Sequence, residues 1–289
     1  MKSDIIKIIK YQFKKLTNSS ISQSQVKKFI LPIIEYIHYS PNNKFLLSGS
    51  QGVGKTTLLK LIKIIFKKKF NKKILSISFD DFYLDKKERL KVAINIHPLL
   101  KTRGVPGTHD IRYLLETIKR FDKSKYPIKL PVFDKLSDSR KKTLKLIKTK
   151  CDILILEGWC VGCPPISRKY LFSNINTLER KFDNNGKWRE YYNRLLKTKY
   201  SKAFGKFNSV IYIKAPSFAY VLSWRIKQEN FLRKLNKKDE SSGMSPKEIV
   251  SFIQHYEKIT KWMLKEMPAL ANLVLYVNKD QKILKIRKN

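Results

Sequence analysis

The sequence predicts an α/β fold: a parallel sheet with helices on both faces. Three observations carry that expectation. Short apolar runs recur along the 289 residues, at 44–48, 73–79, 151–158 and 209–216, each the length of a strand buried on both faces. Stretches of helical period separate them, and strands alternating with helices imply crossovers that cover both sides of a sheet. The first apolar run enters a glycine-rich turn that opens straight into a helical stretch.

The elements follow in order. Residues 3–16 and 24–38 have the spacing of two amphipathic helices, so 1–40 reads as an N-terminal helical segment and 41–289 as the main domain. The run KFLLS at 44–48 is the first buried strand. The stretch 58–70, LLKLIKIIFKKKF, is a helix, and 73–79, KILSISF, a second strand. Arg103-Gly104-Val105-Pro106-Gly107-Thr108-His109-Asp110 is a loop feeding a helix at about 110–121. CDILILEG at 151–158 is a third strand. A lid or insertion is expected over roughly 163–206, of which 166–206 is polar, aromatic and irregular. SVIYIKAP at 209–216 is a fourth strand, ended by Pro216, and a long helix follows to about 235. Residues 236–245 form a charged loop, and Ser245-Pro246-Lys247-Glu248 is a helix start with proline at its first position. LVLYV and KILKIR at the end predict a hairpin turning around Asn278–Gln281. There is no internal repeat and no low-complexity linker.

Composition bounds the function classes. Hydrophobic residues make up 42% and aromatics 12%, which places the chain among globular proteins. No run of about 18 uncharged apolar residues predicts a membrane span. Lysines interrupt the apolar positions of Met1 to Leu16, so a secretory signal is not expected and a cytoplasmic location is. The 62 Lys and Arg against 23 Asp and Glu give a net charge of +39. Such a charge can mark a nucleic-acid surface, but here the lysines are spread along the whole chain, alongside heavy use of Ile and Asn. A nucleic-acid partner is therefore not expected, while a positive field would attract anionic small molecules. Three cysteines, Cys151, Cys160 and Cys163, without an export signal, read as reduced thiols.

Gly49-Ser50-Gln51-Gly52-Val53-Gly54-Lys55-Thr56 fits G-x-x-x-x-G-K-[ST], and it lies between a predicted strand and a predicted helix, the context this motif needs. The fold class thus sharpens to a P-loop NTPase-type sheet with a helical lid or insertion. The candidate ATP-binding residues are Gly49, Gln51, Gly52, Val53, Gly54, Lys55, Thr56 and Thr57. Glycines let successive backbone N–H groups surround phosphate oxygens, and the helix N-terminus adds attraction. Lys55 reaches the β- and γ-phosphates, and the Thr56 hydroxyl is a ligand for Mg²⁺. ATPases, GTPases, helicases and kinases share this loop, so the motif alone leaves the reaction open.

Acids end the next two strands. Asp80 and Asp81 follow the strand 73–79 at the end where ligands gather in parallel sheets. A carboxylate there can take the proton of an attacking hydroxyl, or simply cap a turn. Glu157 closes the strand 151–156 just before Gly158, the arrangement of an acid that holds Mg²⁺ or its water.

Together, the loop, Asp80-Asp81-Phe82-Tyr83 and Glu157-Gly158 resemble the uridine kinase, pantothenate kinase and phosphoribulokinase superfamily. The segment 103–110, Leu130-Pro131-Val132-Phe133-Asp134-Lys135, Glu157-Gly158-Trp159, Trp224-Arg225 through Arg233, and Gly243-Met244-Ser245 narrow the resemblance to D-glycerate 3-kinases of the plant and cyanobacterial type. It runs from about 44 to about 278. The chain departs from that pattern at Leu136-Ser137-Asp138-Ser139-Arg140, which lacks a glycine ahead of the Asp-Arg pair, and at Cys163, where an aromatic is usual. The resemblance implies phosphoryl transfer from ATP, with Mg²⁺, to the 3-hydroxyl of D-glycerate. It implies Asp80 as general base beside Lys55, with Arg225 and Arg233 neutralising the transferring group. It places Asp81, Tyr83, Arg103, His109, Asp110 and Lys135 at an anionic acceptor. Three other readings stand beside it: another acceptor (pantothenate, a nucleoside or a sugar acid), a nucleic-acid-binding ATPase, and an inactive nucleotide-binding module.

Overall fold

The strands of the computed structural model are β1 (Lys44–Gly49), β2 (Ile74–Ser78), β3 (Ile128–Leu130), β4 (Phe133–Asp134), β5 (Ser139–Arg140), β6 (Lys145–Ile147), β7 (Ile153–Gly158), β8 (Ser209–Lys214), β9 (Leu273–Val277) and β10 (Ile283–Lys288). The structure describes residues 2–135, 137–236 and 246–289, with side chains for 3–135, 137–227 and 248–289. The main sheet has the order β10-β9-β8-β1-β7-β2. Its pairs are parallel, except that β10 returns antiparallel on β9, as the expected terminal hairpin requires. The short strands form two antiparallel pairs, β3 with β6 and β4 with β5.

Strand alternation divides the core. Phe45 and Leu47 of β1 and Ile153 and Ile155 of β7 join one cluster, while Leu46, Leu154 and Leu156 join the other. The first is completed by the helices Lys2–Thr17, Leu31–His38 and Lys55–Lys69, through Ile9, Ile33 and Ile65, all fully buried. Each such side chain contributes about 1.5–3 kcal/mol of hydrophobic stabilisation. The second cluster includes Leu114, Trp188, Tyr192, Tyr200 and Ile259, from helices on the opposite face.

The structure departs from the sequence expectations in three places. The helix expected over 24–38 is broken: a π-turn, Val26–Ile30, precedes Leu31–His38. Pro32 has no N–H to give to the preceding turn, and the Leu31 amide reaches back five residues to the Val26 carbonyl, the bond that defines a π-turn. The strand expected over 73–79 stops at Ser78 and tightens into a 3₁₀ turn, Phe79–Phe82. The segment 166–206, read as irregular, is helical at Arg168–Phe172, Thr177–Phe182, Lys187–Leu195 and Ser201–Phe204. Its polarity hid this because some of its charges are buried in pairs. Arg189, wholly buried, meets Asp183 at 2.8 Å and Glu179 at 3.3 Å, and Glu179 also meets Lys258 at 3.4 Å. That cluster joins the segment to the helix Pro246–Leu270. The loop expected over 236–245 and the Gly243-Met244-Ser245 motif lie outside the described residues beyond Asn236. No helix among the described residues is long and apolar enough to cross a membrane.

Candidate active site

The carboxyl ends of β1, β2 and β7 lie side by side, where the ligand crevice of an open α/β sheet forms. β1 leads into the loop 49–56. Gly52 and Gly54 have φ of 75° and 101°, a region in which a side chain is strained. A Cβ on Gly52 would also stand 2.8 Å from the Cβ of Trp224. Gly54 is the N-cap of the helix Lys55–Lys69, so loop amides and helix N-terminus make one electropositive cradle. Lys55 Nζ donates to the carbonyls of Gly49 (2.7 Å) and Ser50 (2.9 Å). Ser50 Oγ and Gln51 Oε1 are buried without a hydrogen-bond partner. A cradle that side chains would fill, lined by unpaired polar atoms and a buried ammonium, fits a polyphosphate.

Two elements clamp this loop. Trp224 belongs to the helix Phe218–Asn236, and its indole N–H donates to the Lys279 carbonyl at 2.8 Å. The Gln281 amide, in the β9–β10 turn, donates to the Gly52 carbonyl. Arg225 therefore follows a residue packed on the phosphate loop, and its charge reaches the Tyr256 hydroxyl. The side chain of Arg233 lies outside the described residues.

Asp80 stands in the 3₁₀ turn after β2. One carboxylate oxygen accepts from Tyr83 Oη at 3.1 Å and the other from Lys135 Nζ at 2.9 Å. Burial pushes this carboxyl upward, but the charge and hydrogen bond of Lys135, with the charge of Lys55, oppose it and hold Asp80 below its ordinary value. Glu157 is in register with Leu47 of β1 and Ser78 of β2, between the phosphate loop and the Asp80 turn. Burial raises its pKa, and Asp80 adds to the shift, while Lys55 opposes it. Burial lowers the pKa of Lys55, and Glu157 and Asp80 oppose that. The three sequence-predicted groups Lys55, Asp80 and Glu157 are thus one electrostatic unit.

The residues expected at an acceptor divide into two kinds. Tyr83 and Lys135 touch Asp80. Asp81 instead accepts from the Phe133 amide at 3.1 Å, pinning β4 beside the turn. Asp110 caps the helix Ile111–Asp122 through the Tyr113 amide, 2.9 Å, and pairs with Arg140 at 3.4 Å. His109 stacks on Phe79 with ring centroids 4.0 Å apart, and its Nδ1 shares a 2.9 Å hydrogen bond with Tyr200 Oη. Burial lowers its pKa to about 3, so the ring is neutral at physiological pH. Its Nε2 is buried without a partner. Arg103 pairs with Asp138, whose other oxygen binds the fully buried Arg89. The Arg103 carbonyl accepts from Tyr256 Oη at 2.7 Å.

Sequence reasoning left Arg89 and Tyr256 out of the site, and gave Asp138 and Arg140 no role. Arg140 donates to the carbonyls of Tyr83 (2.8 Å) and Phe82 (3.3 Å), holding the Asp80 turn from behind. Gly104 did carry a signal for Tyr256. At φ 137° a Cβ there would stand 2.3 Å from the Tyr256 ring, so the glycine marks a close approach. Cys160 and Cys163 are separate buried thiols, both pushed upward by burial.

Of the expected cation ligands, Thr56 lies in the first turn of the helix Lys55–Lys69 and Glu157 at the end of β7. Among the described residues no cluster of three or more His, Cys, Asp or Glu forms a cage. Few protein ligands beside a phosphate cradle suits Mg²⁺, which is commonly held by one or two carboxylates together with phosphate oxygens.

No family model matches the chain. The uncharacterized kinase mug58 of Schizosaccharomyces pombe is 30% identical over 220 residues, spanning 73% of this chain and 76% of that protein. The chloroplastic D-glycerate 3-kinase of Arabidopsis thaliana is 27% identical over 220 residues, 72% of this chain and 45% of that protein. Among solved structures, D-glycerate 3-kinase from Cryptococcus neoformans var. grubii superposes with a TM-score of 0.74 at 22% identity, covering 92% of this chain and 98% of that one. At that identity the likeness is one of fold.

Proposed function

The chain belongs to the P-loop kinases of the uridine and pantothenate kinase type, and from that premise we propose that it transfers the γ-phosphoryl group of ATP to the 3-hydroxyl of D-glycerate. The observation that carries the proposal is the setting of Asp80. It is an ionised carboxylate between the phosphate-loop lysine and the segment 103–110, with a tyrosine hydroxyl and a lysine already bonded to it. The motif resemblance and the D-glycerate 3-kinase among the sequence relatives support the choice of acceptor.

In the proposed reaction the loop 49–56 holds the triphosphate and Lys55 reaches its β- and γ-oxygens. The acceptor's 3-hydroxyl oxygen bonds to the γ-phosphorus as the bond to the bridging β,γ-oxygen breaks, and its proton passes to Asp80. Lys135 is 64% exposed, so its side chain is free to swing from Asp80 toward the substrate. Arg103, already oriented by Asp138, offers its guanidinium to the acceptor carboxylate in bidentate fashion. Tyr83, His109 and Asp110 complete that side, His109 as a neutral group. Arg225 and Arg233 offset charge spread over the transferring phosphoryl oxygens. Thr56 and Glu157 would hold Mg²⁺, which when bound neutralises charge on the β- and γ-phosphates.

The test is ADP release from Mg-ATP with D-glycerate, pantothenate, uridine or RNA added one at a time. The proposal expects turnover with D-glycerate. Turnover with pantothenate or uridine alone would keep the kinase and overturn the acceptor, and stimulation by RNA alone would overturn both.

A further inference from the structure

We propose that the N-terminal helical segment, which carries no recognisable motif, forms the pocket for the nucleotide base and sets which base is accepted. The proposal rests on the P-loop reading above and concerns residues outside that motif. A cavity of about 340 Å³ opens beside the phosphate loop. Gly54 and Thr57 line it from the loop and the first turn of the following helix, Gln281 from the β9–β10 turn, and Phe13, Ile21 and Phe29 from the N-terminal segment.

The position follows from the length of a nucleotide. When the phosphates lie in 49–56, the sugar and base must leave the cradle across the start of the helix that opens it. Thr57, the residue after the cation-binding hydroxyl, stands there. The cavity volume is near the lower end of small-molecule sites, the scale of a base rather than a whole nucleotide. Its walls combine apolar side chains such as Phe13, Ile21 and Phe29 with polar ones such as Gln25, Asp280 and Lys282, so they can bind an aromatic ring by its faces and read it by its edge.

The wall is also held in place. Val26 is fully buried and Ile30 nearly so, in the same core as Leu58 and Leu61 of the phosphate-loop helix. Gln25, which lines the cavity, is fixed by a capping box. Its Oε1 accepts from the Ser22 amide at 3.3 Å, and its own amide donates to Ser22 Oγ at 3.1 Å. The side-chain NH₂ is therefore the end that would meet an acceptor on the base edge. On the other side, the Gln281 bond to the Gly52 carbonyl ties the turn to the loop. Both walls are tied to the elements of the cradle, so base and phosphate binding are preorganised together.

The experiment compares equilibrium binding of Mg-ATP and Mg-tripolyphosphate by calorimetry, in the full chain and in Ile21→Trp, which fills the cavity from the N-terminal wall. The wild type should bind ATP at least about tenfold more tightly than tripolyphosphate, and Ile21→Trp should remove most of that difference while tripolyphosphate affinity changes less than about twofold. Thr17→Trp, from another part of the same wall, should act alike and serves if Ile21→Trp does not fold. Unchanged ATP affinity in a folded variant overturns the inference. Equal wild-type affinity for the two ligands overturns it as well, while leaving the phosphate loop intact. Binding of neither ligand overturns the P-loop reading itself.

Discussion

Asp80 takes its chemistry from its neighbours, and its pairing with Tyr83 and Lys135 makes a specific prediction. Asp80→Asn should cut turnover by about 10²–10⁴-fold, the usual contribution of a general base, with ATP affinity nearly unchanged. Single-turnover kinetics and calorimetry separate the two, and an unaltered rate would remove Asp80 from that role. Asp138 supports the site by other means. It neutralises Arg89, which has no exposed surface, as well as Arg103. Asp138→Ala should therefore destabilise the fold by about 3 kcal/mol, the scale of breaking a buried ion pair, and raise the KM for D-glycerate. Denaturant unfolding and steady-state kinetics check both, and a variant of wild-type stability would contradict the pairing. At this scale the sequence points to a residue where a strand end leads to it: Asp80 and Glu157 each close an apolar run, and Lys55 ends the glycine-rich turn after one. It was silent on Arg89 and Asp138, because a pair 49 positions apart leaves no local pattern.

Among the elements, the parallel strands were readable because both of their faces are buried and their sequences are apolar throughout. The helices of 166–206 were not, since buried charges such as Arg189 and Glu179, paired with each other and, for Glu179, with Lys258 of another helix, look like surface charge in a sequence. The loop 103–110 shows how an element is held by its glycines. Gly104 lies against the Tyr256 ring on the helix Pro246–Leu270. Gly104→Ala adds a methyl where there is no room, at a φ that disfavours it, and should cost about 1–3 kcal/mol or more. The loop would then shift Arg103 relative to Asp80. A loss of D-glycerate affinity larger than the loss of ATP affinity is expected, and equal losses would mean that the loop does not serve the acceptor.

Over the whole molecule, charge and buried histidines govern the response to conditions. A chain of net charge +39 draws anions toward its surface, and salt screens that field over about 10 Å at 0.1 M. Apparent KM values for ATP and D-glycerate should rise with ionic strength while kcat changes little. His109 and His255 are buried, which lowers their pKa to about 3 and about 4, against about 6.5 in the unfolded chain. The unfolded state therefore takes up protons first on acidification. Stability contributed by the neutral rings is complete above about pH 6.5 and is lost as pH falls toward their folded values, at up to about 1.4 kcal/mol per pH unit for each ring. His255→Gln should flatten that slope between pH 6 and 4.5, and denaturant midpoints across this range would show it. The most direct measurement is ³¹P NMR of the protein turning over Mg-ATP with D-glycerate. One new phosphomonoester, 3-phosphoglycerate, is expected, formed in step with ADP. Inorganic phosphate alone, or phosphate on the 2-hydroxyl, would contradict it.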